Sequence, residues 1–440
     1  MSDKTPVTTS ARVLAITALV CFAAAAVVLI QASGVLGLWL LVVGALSATL
    51  LVVGGYYVLT CRGVARVVGL VLMVAALVGT VALFVGRESL ITAVLVIVLV
   101  LAGGTAARAA LRKPDFRWMP ETAVSPPSRP YLVMNPRSGG GKVGKFDMVA
   151  KAKALGADVA LLDGPDEIDV GELARQAVRD GADLLGVAGG DGTQALVAAV
   201  AVEHDLPFVV LPAGTRNHLA MDLGLDRNDP STALAALTDA VEIRIDMGYL
   251  GDERRPFVNT ASFGAYAEIV QNPEYRDRKG STILTMLPDL LQDKEVQPQV
   301  SVRRGNRWVV LHHRQVVLVS NNPYSGVGRR DRLDRGVLGV VAGAIGGPAD
   351  AIRLPWQWLL GRRTAPVQTV VTQQVRVDSD RDEMPVGLDG EAIMLPAPVV
   401  CTIEPRALRI RLPKDRPGVP PPPPVIRWRR LWNLALGRTP

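Results

Sequence analysis

The sequence predicts an α/β domain followed by a mostly antiparallel β domain, both preceded by an all-α transmembrane segment. Three observations predict it. Residues 1–113 hold four long apolar runs almost free of charge. Residues 130–245 then alternate short apolar runs with helix-forming stretches, and the joints between them are rich in glycine. From residue 246 to 406, short β-type runs follow one another in series.

The apolar runs cover 13–32, 36–60, 64–86 and 89–107, each near the roughly 20 residues that cross a bilayer. A cleaved signal peptide would account for one run at most. A buried soluble bundle is the alternative, and the length and low charge of the runs disfavour it. Lys4, Arg12, Arg62, Arg66, Arg108, Arg112, Lys113 and Arg117 fall at the N-terminus, the second link and the end of the fourth run, whereas the first and third links carry only Arg87. Excess Lys/Arg marks the cytoplasmic side, so the expectation is an integral, multi-pass segment with both ends in the cytoplasm. No acid lies inside a run, which reads as an anchor and not as an ion path.

Residues 114–129 are a proline-rich linker. Tyr131–Met134 reads as a strand running into Asn135-Pro136-Arg137-Ser138-Gly139-Gly140. Gly139 to Lys145 fits the spacing GxxxxGK, but Phe146 stands where a P-loop needs Ser or Thr for magnesium, so a Walker A loop is rejected. A helix over Phe146–Leu155, a strand over Asp158–Leu162 and a helix over Gly171–Arg179 come next. The apolar run Leu184–Ala188 enters Gly189-Gly190-Asp191-Gly192-Thr193, and Gln194–Val200 continues as helix. Strand, glycine loop and helix is the geometry that aims backbone N–H groups at an anion. Phe208–Leu211 is another strand, entering Pro212-Ala213-Gly214-Thr215-Arg216-Asn217. Three such loops at equivalent strand ends of a parallel sheet converge on one crevice.

The β-type runs that follow are Phe257–Ser262, Val300–Val302, Trp308–Leu311, Gln315–Val319, Val337–Ala342, Thr369–Val377 and Val399–Ile403. Prolines 420–424 close the series, and Ile426 to Leu436 interleaves Trp and Leu with Arg427, Arg429 and Arg430. That pattern suits a short interfacial helix on an anionic membrane surface, with a disordered basic end as the alternative. Trp356–Leu360 with Arg362 and Arg363 forms a second patch of this kind. The net charge is +7, but residues 405–440 alone hold nine Lys/Arg against Asp415, so the remainder is close to neutral. A general nucleic-acid field is thereby excluded. Cys21, Cys61 and Cys401 are scattered, and neither they nor the four histidines have metal-ligand spacing.

Four strings, taken together, resemble the diacylglycerol kinase catalytic-domain family, which includes bacterial lipid kinases and sphingosine kinase-like enzymes. They are Asn135–Gly140, Gly189–Thr193, Pro212–Asn217 and Leu388-Asp389-Gly390-Glu391, in matching order over roughly residues 130–412. The Gly-Gly-Asp-Gly-Thr string alone is shared with NAD kinases and phosphofructokinase-like enzymes. The resemblance implies an α/β nucleotide-binding domain over 130–245, a β-sandwich lipid-substrate domain over 246–406, and a last strand returning to the first domain near 407–412. It implies ATP and Mg2+ held by Ser138, Gly139, Gly189, Gly190, Asp191, Gly192, Thr193, Gly214, Thr215 and Asn217. It also implies that Asp389 or Glu391 takes the proton of a lipid hydroxyl. Read from its own spacing alone, Asp389-Gly390-Glu391 favours a hairpin turn, and only beside the other three strings does the catalytic reading prevail.

Bacterial members carry a structural magnesium on an acid-rich segment, which here is Arg332 to Leu338. Asp334 is its candidate ligand beside Asp191 at the nucleotide, Arg335 stands where a second acid is usual, and Arg335 could replace the ion's charge. Asp163 falls where some members have a nucleotide-contacting Thr. The function expected is phosphorylation of a membrane lipid, diacylglycerol foremost, at the cytoplasmic leaflet. The alternatives are an NAD kinase-like metabolite kinase and an inactive membrane scaffold. Expected partners are a membrane lipid substrate and the bilayer, no nucleic acid, and a homodimer as an open alternative. Residues 413–440 form a separate proline-rich linker and basic tail.

Overall fold

The computed structural model describes residues 9–33, 35–85, 90–111, 119–164, 168–215, 217–271, 297–325, 328–344, 367–419, 426 and 428–438. Four apolar helices open the chain: α1 (Thr9–Ser33), α2 (Val35–Thr60), α3 (Gly63–Val85) and α4 (Leu90–Ala110). Three of them, α1 to α3, are long and apolar enough to cross a membrane, and α4 holds a shorter apolar stretch, Val94–Ala110. They pack in two pairs, α1 on α4 and α2 on α3. Small residues let the second pair touch backbone to backbone: a Cβ added at Gly54 would stand 2.6 Å from the carbonyl of Gly69. Ala15 and Ala18 of α1 cluster with Ala107 and Ala110 of α4. The start of one helix therefore meets the end of the other, and Arg12 and Arg108 share one side.

The α/β part holds β1 (Thr122–Val124), β2 (Pro130–Met134), α5 (Lys142–Lys145), α6 (Met148–Ala154), β3 (Asp158–Leu161), α7 (Val170–Arg179), β4 (Leu184–Ala188), α8 (Asp191–Glu203), β5 (Pro207–Leu211) and α9 (His218–Asp222). Strands β3, β2, β4 and β5 lie in that order, all parallel. β4 and β5 are buried throughout, which is why they read as continuous apolar runs and not as alternation. The chain leaves β2 toward β3 and then returns to the other side as β4. The loops after β2 and β4 are thus neighbours at the switch of strand order, where such sheets open a crevice.

The rest runs β6 (Ala240–Leu250), β7 (Arg255–Phe257), β8 (Thr260–Gly264), α10 (Ala265–Gln271), β9 (Gln299–Arg304), β10 (Arg307–His313), β11 (Val316–Asn321), β12 (Leu338–Gly343), β13 (Val367–Thr372), β14 (Gln374–Asp378), β15 (Glu383–Leu388), β16 (Glu391–Pro396) and β17 (Val399–Pro413), before a tail helix α11 (Trp428–Ala435). One antiparallel sheet has the order β13-β12-β11-β8-β15-β16. It faces the antiparallel wing of the large sheet, β10-β9-β14-β17, across a core that includes Phe257, Phe263, Val302, Val319, Val340, Val377, Val386 and Cys401. This is the sandwich that the resemblance implied.

The two parts do not meet at a simple border. β6 runs unbroken through the boundary drawn at 245/246, and β17 runs through 406/407. β17 pairs antiparallel with β6 along almost its whole length and parallel with β5 through Arg409 to Arg411. The expected return strand is therefore the far end of a 15-residue strand shared by both parts. Nor is 114–129 all linker. Thr122–Val124 pairs with β6, and Arg411 donates to the carbonyl of Ser125. The helix expected over Phe146–Leu155 starts later, at Met148, because Asp147 takes a left-handed conformation that separates α5 from α6.

Candidate active site

The three glycine-rich loops converge as expected. Gly214 N donates to the carbonyl of Gly189 at 3.1 Å, and Asn135 N donates to Ala188 at 2.9 Å. Gly139 (φ +55°) lies so close to the Ala213 carbonyl that any side chain would collide with it. Ser138 sits in the same first loop, in a short 3-10 turn. A Cβ at Gly214 would stand 2.8 Å from Gly190 Cα, so both loops need bare backbone here. Gly190 caps α8 without a side-chain bond, which leaves the first N–H groups of that helix facing the crevice. Thr193 is half-buried in the first turn of α8, and Thr215 is exposed on the third loop.

Asp191 is the charged centre of this cradle. Its Oδ2 accepts from His218 N at 3.0 Å, while the buried Oδ1 has no hydrogen-bond partner among the described residues. Burial pushes its pKa up, against the pull of the His218 N–H, the His218 charge and Arg330. Asn217 turns its amide to the Gly214 carbonyl at 2.7 Å, and its Oδ1 is likewise buried without a partner. Two such acceptor oxygens beside free helix N–H groups fit a phosphate with its magnesium. Among the described residues no three acids, histidines or cysteines group as metal ligands. An ion here would therefore keep water and phosphate oxygens in its shell, as Mg2+ commonly does.

The Asp-Gly string is a hairpin turn, and it is also part of the site. Asp389 and Gly390 have φ of +49° and +94° and join β15 to β16, with Leu388 opposite Glu391. These are the backbone angles of the tight hairpin turn that Asp-Gly favours. The Asp389 carboxylate accepts from Val258 N at 2.8 Å, Asn259 N at 2.9 Å and Thr260 N at 2.8 Å. Burial and the neighbouring Asp191 push its pKa up to about 7, against those three N–H groups. Both its oxygens are thus engaged in holding the turn. Glu391 is exposed, and its carboxylate rests on Gly192: a Cβ there would stand 2.7 Å from Glu391 Cδ. The hairpin of the sandwich so reaches the start of α8 in the α/β part.

Asp334 does not fit the metal role. Arg332 grips it with two bonds of 2.7 and 2.6 Å, Arg406 lies at 3.8 Å, and its side chain is 2% exposed. The arginine that neutralises it is Arg332, whereas Arg335 pairs with Asp331. Next to it, buried Asp246 accepts from Asn322, Gly336 N and Arg406 N, so three of its roughly four acceptor sites are already taken. Among the described residues, Asp163 makes no hydrogen bond or ion pair with the three loops.

No local pattern marks Arg330, which sits in a charged stretch that reads as solvated surface. It is 1% exposed and donates to Asp222 Oδ2 at 2.6 Å, to the Val258 carbonyl at 2.7 Å and to the Asn321 carbonyl at 2.8 Å. It ties α9, behind the third glycine loop, to the segment that holds Asp389. Half-buried Tyr324 lies in the same field, with Arg330 and the acids Asp222, Asp389 and Asp191 acting on it.

Comparison with known proteins agrees with the geometry. Residues 129–250 match the model of the diacylglycerol kinase catalytic domain. A diacylglycerol kinase of Mycobacterium tuberculosis is 35% identical over 121 residues, 27% of this chain and 39% of that protein. The chain thus spans about two fifths of that relative's length. A diacylglycerol kinase of Bacillus subtilis is 26% identical over 56% of this chain and 84% of its own. A diacylglycerol kinase structure from Bacillus anthracis aligns over 64% of this chain and 96% of its own, at 16% identity and a TM-score of 0.44. Three of the four strings lie within the matched residues 129–250, and the fourth, Leu388 to Glu391, reaches the same cleft from the sandwich.

Proposed function

We propose that the chain is an ATP-dependent lipid kinase that phosphorylates a hydroxyl of a membrane lipid, diacylglycerol foremost, at the cytoplasmic leaflet. The observation that carries this reading is the contact of the Glu391 carboxylate with Gly192, beside the unpartnered Oδ1 of Asp191. It brings a base within reach of the loop that cradles phosphates. The lipid hydroxyl gives its proton to Glu391, its oxygen attacks the γ-phosphorus of ATP, and the bond to the bridging oxygen breaks to leave ADP. The glycine loops and the start of α8 hold the phosphate charge, which is most of what phosphoryl transfer asks of a protein. Asp389 positions the hairpin and does not act as the base. A magnesium ion, when bound, would neutralise the phosphate oxygens, with Asp191 and Asn217 holding it or its water.

The helices α1–α4 support an integral membrane protein with both ends of the segment in the cytoplasm. Arg12 and Arg108 on one side, and the antiparallel packing of α1 on α4, favour that topology. The test is transfer of radiolabelled γ-phosphate by the full-length protein in nanodiscs, across a panel of diacylglycerol, sphingoid base and glycolipid. A labelled lipid that depends on diacylglycerol is expected. Turnover of ATP with a soluble metabolite in place of lipid would support the NAD kinase-like reading. No turnover in a folded, nucleotide-binding protein would support the scaffold.

A further inference from the structure

The tail expected to lie alone in a headgroup layer does something more specific. α11 packs against the ends of α1 and α4 that share one side. Leu431 and Leu434 fill the shallow surface made by Ala15, Ala18, Ala107 and Ala110. Phe22 meets the Trp428 ring edge-on at 5.2 Å, and Arg12 Nε donates to the Ala435 carbonyl at 3.3 Å, closing the helix C-terminus.

With about 100° between successive residues, α11 divides into three sectors. Leu431, Leu434 and Ala435 form the docked one. Trp428, Trp432 and Leu436 form a second, and it stays open: Trp432 is 57% exposed and Leu436 is 49% exposed. Arg429, Arg430 and Asn433 form the third, exposed or half-buried and basic. The open apolar sector lies between the docked sector and the basic one. It adjoins helices whose own outward residues are exposed in the same way, such as Val20 at 60% and Leu101 at 63%.

We propose that α11 is an interfacial membrane element that binds an anionic bilayer surface, its Trp432 and Leu436 sector sunk below the headgroups and Arg429 and Arg430 on the lipid phosphates. The order of the sectors fits one occupant. A helix docked on bilayer-embedded helices at their cytoplasmic ends has acyl chains on one flank and phosphates on the next. Trp and Arg are the residue types that suit those two depths. The proposal rests on α1–α4 lying in a bilayer, and it is independent of the kinase reading.

The experiment places a polarity-sensitive dye on single cysteines of the full-length protein, in nanodiscs of neutral phosphatidylcholine with or without phosphatidylglycerol. Cys21 and Cys61 are replaced by alanine, while Cys401 is buried and out of reach of the dye. Labels go at Leu436→Cys, at Asn433→Cys and, as the membrane control, at Leu101→Cys. With phosphatidylglycerol present, the expected result is a blue-shifted, acrylamide-protected dye at 436 and 101, and a water-like one at 433. Arg429→Gln with Arg430→Gln should move the label at 436 toward water by about 25-fold in the equilibrium, from about fivefold for each arginine. A lipid-immersed label at 101 with a water-like label at 436 in anionic discs would overturn the proposal while the membrane reading stands. Water-like labels at both positions would overturn both. A label at 436 equally immersed in neutral discs, and unmoved by loss of the arginines, would overturn the anionic recognition.

Discussion

Glycine at 192 is where the proposed chemistry is most exposed to a small change. An added Cβ would lie 2.7 Å from Glu391 Cδ, too close for two carbons, so the carboxylate would have to swing away from the helix. The main chain itself has no objection to alanine: Gly192 lies inside α8 without a left-handed φ. Within a helix, alanine is favoured over glycine by about 0.5–1 kcal/mol. Gly192→Ala is therefore expected to leave stability unchanged or raise it slightly while kcat falls. General-base help is worth about 10²–10⁴-fold, which sets the loss for complete displacement. Glu391→Gln should lose a similar factor. The double variant should lose no more than Glu391→Gln alone, because both changes remove the same group. The assay is kcat on lipid in nanodiscs, read beside thermal unfolding and KM for ATP. Full kcat in Gly192→Ala, or losses that multiply in the double variant, would refute the base assignment. A raised KM for ATP at unchanged kcat would instead make Gly192 a glycine of phosphate approach.

Other consequences follow from the same cluster. Asp191→Asn keeps shape and removes the buried charge, so turnover should collapse with the fold intact; undiminished turnover at any Mg2+ concentration would sink the nucleotide site. Asp389→Asn can keep only one of the two oxygens that receive backbone N–H groups, which should cost about 1–3 kcal/mol of stability, visible as a lower Tm. With the Asp389 pKa raised to about 7 from an unfolded value of about 3.9, the folded state holds the extra proton between those limits. Stability should therefore fall as pH rises from about 4 to about 7 and be flat above, and Asp389→Asn should flatten that slope. Arg330→Met strands the buried Asp222 carboxylate and should cost about 3–5 kcal/mol, with Asp222→Leu in the same chain restoring much of it. Equal unfolding temperatures for Arg330→Met and wild type would show that the buried pair holds nothing together.

What the sequence made legible was what depends on near neighbours in the chain. β2, β4 and β5 were readable because buried parallel strands are apolar on both faces, and the loops after them because close backbone approach demands glycine. What stayed hidden depends on distant partners. β15 was not read as a strand, since Glu383-Met384-Pro385-Val386-Gly387-Leu388 has proline and glycine where a strand pattern would have β-branched residues, and only pairing with β8 and β16 holds it. Arg330 lies among Arg329, Asp331 and Arg332, and nothing local separates the buried arginine from its half-buried neighbours. Arg335 looked like the stand-in for a metal charge. The actual partner of Asp334 is Arg332, two residues away, whose guanidinium donates to both of its oxygens.

The hairpin turn and the catalytic string stood as rivals in the sequence, yet the fold needs the first to make the second. A turn with positive φ at both residues reverses the chain within two positions, and that reversal puts Glu391 at the very start of β16. Asp389 then pins the turn to the backbone of 258–260, and Arg330 pins that backbone to α9, directly behind the loop that carries Asn217. The distance between the proposed base, Glu391, and the glycine loops is therefore set by a run of hydrogen bonds that starts on one side of the cleft and ends on the other. β6 and β17 cross between the two parts, and their pairing is interrupted once, between Glu404 and Leu408, where Arg406 takes a left-handed conformation. Opening the cleft would require either bending these paired strands or breaking the buried bonds of Arg330. The ten paired positions split four and six on either side of that irregularity, so a bend there disturbs few strand bonds, and the buried bonds of Arg330 are what hold the cleft at its width.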